Sequence, residues 1–254
     1  MAGFFGLFNY SKPGPGVSKD QIEKKRFFVF FEIFFRKFWS LVSLNVVYLL
    51  CCIPIVTIGP MTAGLTYVLR NFSTETPGFP MSDMFERAWK NKGQAFAYGI
   101  LRVVVLAASL FAFWFYINYP EKTILTYVAM GLTITFYVIT TFISYYVYLM
   151  IVTVNLKLLH ILKNSFIFAV LGFKSNIITF FFTTAIIAAL ALAYPLTLIP
   201  IILIGFTLIY FIIIFNSYQH IKKHVVDKYY ESLETEDSVV EAQEEPEIIF
   251  SDEI

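Results

Sequence analysis

Residues 38–70 read FWSLVSLNVVYLLCCIPIVTIGPMTAGLTYVLR, and the way this stretch meets a lipid bilayer decides the fold. A helix needs ~20 apolar residues to cross ~30 Å of hydrocarbon. Here the apolar run from Phe38 to Ile58 is interrupted by Pro54 and closed by Gly59-Pro60, and the piece that follows, Met61 to Leu69, has only nine residues before Arg70. At 1.5 Å per residue that piece reaches roughly 14 Å, less than half of the hydrocarbon core. The stretch therefore either crosses once or enters and returns as a broken hairpin.

The basic residues separate these two arrangements. Clear apolar spans follow at about 96–117, 124–150, 176–194 and 196–215. The breaks at Tyr119-Pro120-Glu121-Lys122 and Tyr194-Pro195 are short, so the spans that each joins should lie antiparallel. Seven Lys and Arg precede the first span, four lie between 70 and 92, one at 122, three between 157 and 174, and three after 216, with Arg102 set aside as near-membrane. If 38–72 enters and returns, 17 of these lie inside and 1 outside; if it crosses once, 11 lie inside and 7 outside. Cationic loops resist translocation, so the broken hairpin is preferred, with both of its ends cytoplasmic. It should be kinked at Pro54 and turned at Gly59-Pro60. Lipid cannot satisfy the backbone groups freed at such a kink, which places the hairpin inside the bundle.

Composition agrees with a membrane chain. Of 254 residues, 58% are hydrophobic and 15% charged, with 29 Phe and 16 Tyr, too little polar surface for a soluble domain. These values exclude a disordered chain, a collagen-like rod, a disulfide-stapled secreted domain and an ordinary cytosolic enzyme. The net charge of +1 hides an asymmetry: from residue 217 onward there are 11 Asp and Glu against 3 Lys, which leaves the tail at −8 and the body at +9. The body suits anionic lipid headgroups, and the tail reads as a solvated extension. Nucleic acid is not an expected partner, because the positive charges are scattered along membrane edges.

Three regions follow: an interfacial segment over 1–37, a transmembrane helical domain over 38–220, and an acidic tail over 221–254. Met1 to Tyr10 has neither a basic start nor a long apolar run, so it does not read as a signal peptide. From Lys19 to Phe38 the spacing predicts an amphipathic interfacial helix, with Phe27, Phe31, Phe34 and Phe38 on one side and Lys25, Glu32 and Arg36 on the other. A weak internal repeat is also visible. SDMFERAWKN at 82–91 reads as a helix with Ser82 or Asp83 as N-cap and an apolar stripe of Met84, Phe85, Ala88 and Trp89, and LKLLHILKN at 156–164 resembles it. Both blocks end in Lys-Asn, at Lys90-Asn91 and Lys163-Asn164, and each precedes an apolar hairpin. The expected fold class is an all-α polytopic membrane protein: a helical bundle of a broken N-terminal hairpin plus two transmembrane hairpins, each preceded by an amphipathic cytoplasmic helix.

Ionisable groups inside a bilayer are the first functional flags to seek. None occurs between residues 123 and 156, and Arg102, about six residues into its span, is expected to snorkel to the headgroups, the alternative being a pore or substrate role. Asn45, Thr57 and Thr62 at the hairpin, and Thr133, Thr135, Thr140, Thr141 and Ser144 later, read as interhelical hydrogen-bonding groups, or else as the lining of a polar route. Tyr145, Tyr146 and Tyr148 are expected in the aromatic belt at the cytoplasmic boundary. Cys51 and Cys52 behave as small hydrophobes. His220 and His224 are four apart, a metal-compatible spacing, yet no third ligand or catalytic Glu accompanies them. The expectation is a protein without enzymatic activity, cofactor or metal. With no phosphate-binding glycine loop of its own, any powered transport would need a motor on another chain.

The run FWSLVSLNVVYLLCCIPIVTIGPMTAGLTYVLRNF, with SDMFERAWKNKGQAF and LKLLHILKNSFIFAV after it, resembles the YesL family of bacterial membrane proteins, a domain of unknown function. The most specific part runs from Leu44-Asn45-Val46-Val47-Tyr48 into Ile53-Pro54-Ile55-Val56-Thr57-Ile58-Gly59-Pro60, and the resemblance covers about residues 25–220. The long acidic tail departs from the family's shorter ending. The resemblance implies a cell membrane of Gram-positive type, association with carbohydrate uptake systems beside binding-protein-dependent sugar permeases, and no known catalytic residue. In importers powered by a separate ATPase, a short cytoplasmic helix of a membrane subunit docks on that ATPase. Segments 82–92 and 157–165 have that placement, with Phe85, Trp89, Lys90, Asn91, Lys163 and Asn164 as candidate contacts. The leading expectation is an accessory or regulatory subunit of a sugar importer, multi-pass, with both termini cytoplasmic and with permease or ATPase subunits as partners besides the lipid bilayer. The alternatives are a stand-alone facilitative carrier or channel, and a scaffold or sensor whose acidic tail recruits a cytosolic protein.

Overall fold

The computed structural model describes residues 25–233. Among them every regular element is helical: α1 Arg26–Arg36, α2 Phe38–Cys51, α3 Ile58–Ser73, α4 Pro80–Lys90, α5 Lys92–Asn118, α6 Ile124–Thr153, α7 Leu158–Leu171, α8 Phe173–Leu192 and α9 Leu198–Leu233. Four of these, α5, α6, α8 and α9, are long and apolar enough to cross a membrane. The protein is an all-α polytopic membrane protein of the kind expected. Its exposed surface fits this, since Leu110, Phe111, Trp114, Ile124, Phe136, Ile178 and Phe181 all face outward, as lipid contact requires.

The chain falls into two units, one up to Arg36 and one from Lys37 onward. The first contains α1, where the rings of Phe27 and Phe31 meet edge-on at 4.9 Å and those of Phe30 and Phe34 stack at 6.3 Å. The expected helix over 19–38 is thus shorter. It ends at Arg36, so Phe38 starts α2 instead of completing the α1 stripe, and residues 19–24 lie outside the described residues.

The second unit is the bundle, with α3 at its centre. The expectation that the kink lies inside it is corrected: Ile53, Pro54, Ile55 and Val56 are exposed, and α2 buries one face through Leu41, Leu44, Asn45 and Tyr48. Cys52 to Thr57 interrupt the helix between α2 and α3, with Pro54 extended at the start of a short 3-10 turn over Ile55–Thr57. The Thr57 hydroxyl donates to the carbonyls of Cys51 and Pro54, so a side chain covers part of the opened backbone. The expected turn at Gly59-Pro60 is displaced. Both residues belong to the first turn of α3, where proline has no hydrogen bond to lose. Glycine at 59 has a different purpose: a Cβ there would run into the backbone of Ala95 on α5. At 14 and 16 residues, α2 and α3 reach about 21 and 24 Å, neither long enough to cross alone. The ends of the hairpin meet, with Lys37 Nζ 5.4 Å from the centre of the Phe72 ring.

Burial confirms the central place of α3. Leu65, Leu69, Ala63, Val68, Thr62 and Thr66 are all almost inaccessible, and α3 packs on α2, α4, α5, α6 and α9. Near its start Gly59 abuts Ala95, early in α5; near its end Arg70 donates to the carbonyl of Val152 and the hydroxyl of Thr153, at the end of α6. Both ends of α3 therefore touch the same end of the α5–α6 hairpin, and α3 does not extend to the other.

That end also collects charge. Arg70, Arg87, Lys90, Lys92, Lys157, Lys163, Lys174 and Lys222 belong to it, whereas the α5–α6 turn at the opposite end has Lys122. We call it the basic end. Two short helices lead into long ones there, each through a single bent residue. Asn91 joins α4 to α5 with φ −101° and ψ 11°, and Gly172 joins α7 to α8 with φ −88° and ψ 16°. The repeat is thus real in its architecture but not in its Lys-Asn motif. Lys90-Asn91 lies at a bend, while Lys163-Asn164 lies in the middle of α7. Nor is α7 amphipathic as expected: it buries Ile161, Ser165, Phe168 and Ala169 and exposes Leu159, Phe166, Ile167 and Val170.

At its far end α9 contains a π-turn, Ile201–Gly205, and it continues to Leu233, past the expected start of the tail at 221. The remainder of the tail lies outside the described residues.

Candidate functional site

Two features at or near the basic end bring functional groups together. The first is a cavity of about 660 Å³ in the bundle. Its base is formed by Ile58, Thr62 and Thr66 of α3, and its walls by Arg102 of α5, Thr141, Ser144 and Tyr148 of α6, Thr183 and Ile187 of α8, and Phe206, Ile209 and Tyr210 of α9. Tyr194 and Ile201 line it toward the opposite end. The volume lies in the range of ordinary ligand sites.

Arg102 is the charged group of this cavity, and its placement corrects the expectation of snorkelling. Ten residues into α5, it lies about 15 Å along the helix from Lys92, and its Nη2 donates to the Thr141 hydroxyl at 3.2 Å. Its Nη1 is fully buried and has no hydrogen-bond partner among the described residues. Among the described residues no Asp or Glu lines the cavity. Thr141 is held to receive Arg102 because its own proton goes to the Tyr137 carbonyl at 2.8 Å.

The remaining hydroxyls behave differently from the expectation of interhelical bonding. Thr133, Thr135, Thr140 and Ser144 donate to carbonyls of their own helix, three or four residues back, as do Thr66, Thr179 and Thr183. Such a bond is always within reach of a helical Ser or Thr, so lipid exposure does not force a hydroxyl to find another helix. Most interhelical bonds come from the larger polar groups, the exception being the Thr207 hydroxyl of α9, which donates to the Leu41 carbonyl of α2 at 3.1 Å. The Asn45 amide donates to the carbonyls of Ile201 and Ile202 and accepts from the Thr207 N–H, and the Tyr48 and Thr62 hydroxyls are 2.9 Å apart. The expected aromatic belt is corrected as well. Tyr145 and Tyr146 are buried, Tyr146 donates to Asn176 at 2.9 Å, and Tyr148 packs against Tyr98 within the bundle.

The second feature is α4. Its start is set by Phe79 as N-cap and Pro80 in the first turn, not by Ser82 or Asp83, neither of which caps it. Met84 and Ala88 are buried against α3, and Gly64 allows this approach, since a Cβ there would overlap the Met84 carbonyl. The stripe read from the sequence is therefore split: Phe85 and Trp89 point away, 47% and 72% exposed. Lys90 and Lys163 are exposed, and Asn91 and Asn164 are half-buried. The Asn91 amide closes the end of α4 by donating to the Arg87 carbonyl. Lys92 Nζ sits 3.7 Å from the centre of the Trp89 ring, so the aromatic is presented together with a cation. The segment around 163 does not share this patch motif.

Between α4 and the core, the Tyr67 ring receives two guanidiniums, Arg70 at 4.5 Å and Arg87 at 4.4 Å from its centre. Arg87 also donates to the Tyr67 hydroxyl at 3.3 Å. His220 and His224 lie on α9, with His224 Nδ1 2.9 Å from the His220 carbonyl, and their rings pack on Tyr146 and Phe168. Among the described residues no group of three His, Cys, Asp or Glu could hold a metal. The sequence reading missed the inward turn of Arg102 and the Tyr67 pairing. The signal available for Arg102 was its distance from either end of a long span.

Residues 41–119, from α2 through the end of α5, match the model of a family described as "Protein of unknown function, DUF624". No curated protein and no solved structure matches the chain.

Proposed function

We propose that this membrane protein is an accessory or regulatory subunit of a carbohydrate importer, with no enzymatic activity of its own, and that α4 is its docking element. The observation that carries the reading is the division of α4: Met84 and Ala88 fix it to α3, while Phe85 and Trp89 stay exposed beside Lys90 and Lys92 at the basic end. Exposed aromatics are among the residue types that dominate the energetics of protein interfaces, and the two lysines beside them give the patch a positive charge. The carbohydrate assignment draws on the YesL resemblance, with which the family match over α2–α5 is consistent. The positive-inside rule sets the basic end in the cytoplasm of a cell membrane, with both termini on that side, where an importer's ATPase would be met.

The test is purification of the full chain from its native membranes in mild detergent. The reading expects permease or ATPase subunits to come with it, and the double substitution Phe85→Ala, Trp89→Ala to lose them without lowering the melting temperature. Recovery of no such subunit with the unaltered chain overturns it.

A further inference from the structure

We infer that the cavity above α3 is a binding site for an amphipathic anion, an oxyanion carried on an apolar chain, with Arg102 as the residue that receives the charge. Three observations converge on this ligand class. The guanidinium lies well inside a membrane-crossing helix, and a cation in that position is costly unless something neutralises it. Among the described residues the cavity lining supplies no carboxylate. Nη1 has no hydrogen-bond partner among the described residues, while Nη2 is held by Thr141, so the guanidinium lines the cavity with part of its donor capacity unused. A guanidinium fork is the side chain best matched to a phosphate or carboxylate.

The rest of the lining favours an apolar chain over a sugar, although Tyr137, Tyr145, Tyr148, Tyr194 and Tyr210 add hydroxyls to it. Sugars are held by many directed polar groups, yet the hydroxyls of Thr66, Ser144 and Thr183 already spend their protons on their own helices. Beyond Arg102 the walls contributed by α8 and α9 are mainly aliphatic and aromatic. One charged contact with an extended apolar wall describes an amphiphile. The oxyanion could belong to a bilayer phospholipid or to a free single-chain amphiphile, and the experiment separates the two.

The full chain, in uncharged maltoside detergent, is titrated calorimetrically with dodecyl phosphate, inorganic phosphate and dodecanol. After subtraction of the heat of mixing with protein-free micelles, the site predicts saturable binding of dodecyl phosphate and no saturable binding of the other two. Binding should weaken about tenfold or more in Arg102→Gln, as expected for loss of a charge-assisted pair. Ile187→Trp, which keeps Arg102 but fills the cavity, should weaken it to a similar degree and covers the case in which Arg102→Gln fails to fold. Equal binding of inorganic phosphate, equal binding of dodecanol, or unchanged binding in both variants would each overturn the inference. With binding established, competition by phosphatidylglycerol in nanodiscs, against phosphatidylcholine alone, assigns the site to a bilayer lipid; lack of competition assigns it to a free amphiphile.

Discussion

Asn45 on α2 accepts the backbone N–H of Thr207 on α9 at 2.9 Å, directly after the π-turn that ends at Gly205. The same amide donates to the carbonyls of Ile201 and Ile202 at 3.1 and 2.7 Å. A π-turn shifts the backbone hydrogen-bond ladder, and in lipid the groups released have no water to turn to. One Asn side chain meets three of them and ties the broken hairpin to the last span. Asn45→Ala should therefore cost about 1–3 kcal/mol, read as a fall in detergent melting temperature. Ser43→Ala, which removes a hydroxyl bonded to its own helix at Trp39, should stay within about 0.5 kcal/mol.

Glycines within these helices are not equivalent. At Gly64 an added Cβ would overlap the carbonyl of Met84, and the obstacle is backbone, which cannot rotate aside. Gly64→Ala should push α4 off α3 and destabilise the bundle by about 1–3 kcal/mol. At Gly131 on α6 an added Cβ meets nothing within 4 Å, so Gly131→Ala should gain up to about 1 kcal/mol from helix propensity. Parallel thermal melts of the two variants check the opposite signs.

Much of the architecture was legible because a bilayer imposes lengths and charge rules that a sequence obeys openly. The four long apolar runs are the four long helices, and counting Lys and Arg was enough to fold 38–72 back on itself when hydropathy alone left it ambiguous. What was not legible is direction around a helix. In a soluble protein the apolar stripe marks the core, but on α6 the lipid-facing Phe136 and the buried Phe142 are the same residue type. For this reason composition and spacing point Tyr145 and Tyr146 to an interfacial belt and Arg102 to the headgroups, whereas both tyrosines are buried and Arg102 reaches Thr141. Gly59 shows a related limit: a glycine beside a proline reads as a turn, although here it serves close approach to Ala95.

The split face of α4 separates a packing role from a docking role in one experiment. Met84 is fully buried, and Met84→Ala should cost about 2–5 kcal/mol by leaving a void against α3. Trp89 is 72% exposed and touches Lys92, so Trp89→Ala should change stability by no more than about 1 kcal/mol. The docking reading requires partner recovery to follow the reverse order, with the loss greatest for the variant whose melting temperature barely moves. If both measurements fall together across the two variants, α4 is a packing element only.

The sidedness of the bundle is open to a direct measurement because its two ends carry exposed loop residues. Thr76 lies in the connection between α3 and α4 at the basic end, and Glu121 in the α5–α6 turn at the other. Cys51 and Cys52 are free and half-buried, so both are first replaced by Ser to remove background. An impermeant maleimide added to intact cells should then label Glu121→Cys and leave Thr76→Cys untouched until the membrane is opened. The reasoning is energetic: translocating the basic end would carry Arg70, Arg87, Lys90 and Lys92 across the bilayer, whereas the opposite turn asks it of Lys122. Labelling of Thr76→Cys from outside would reverse the orientation and remove α4 from the reach of any cytoplasmic ATPase.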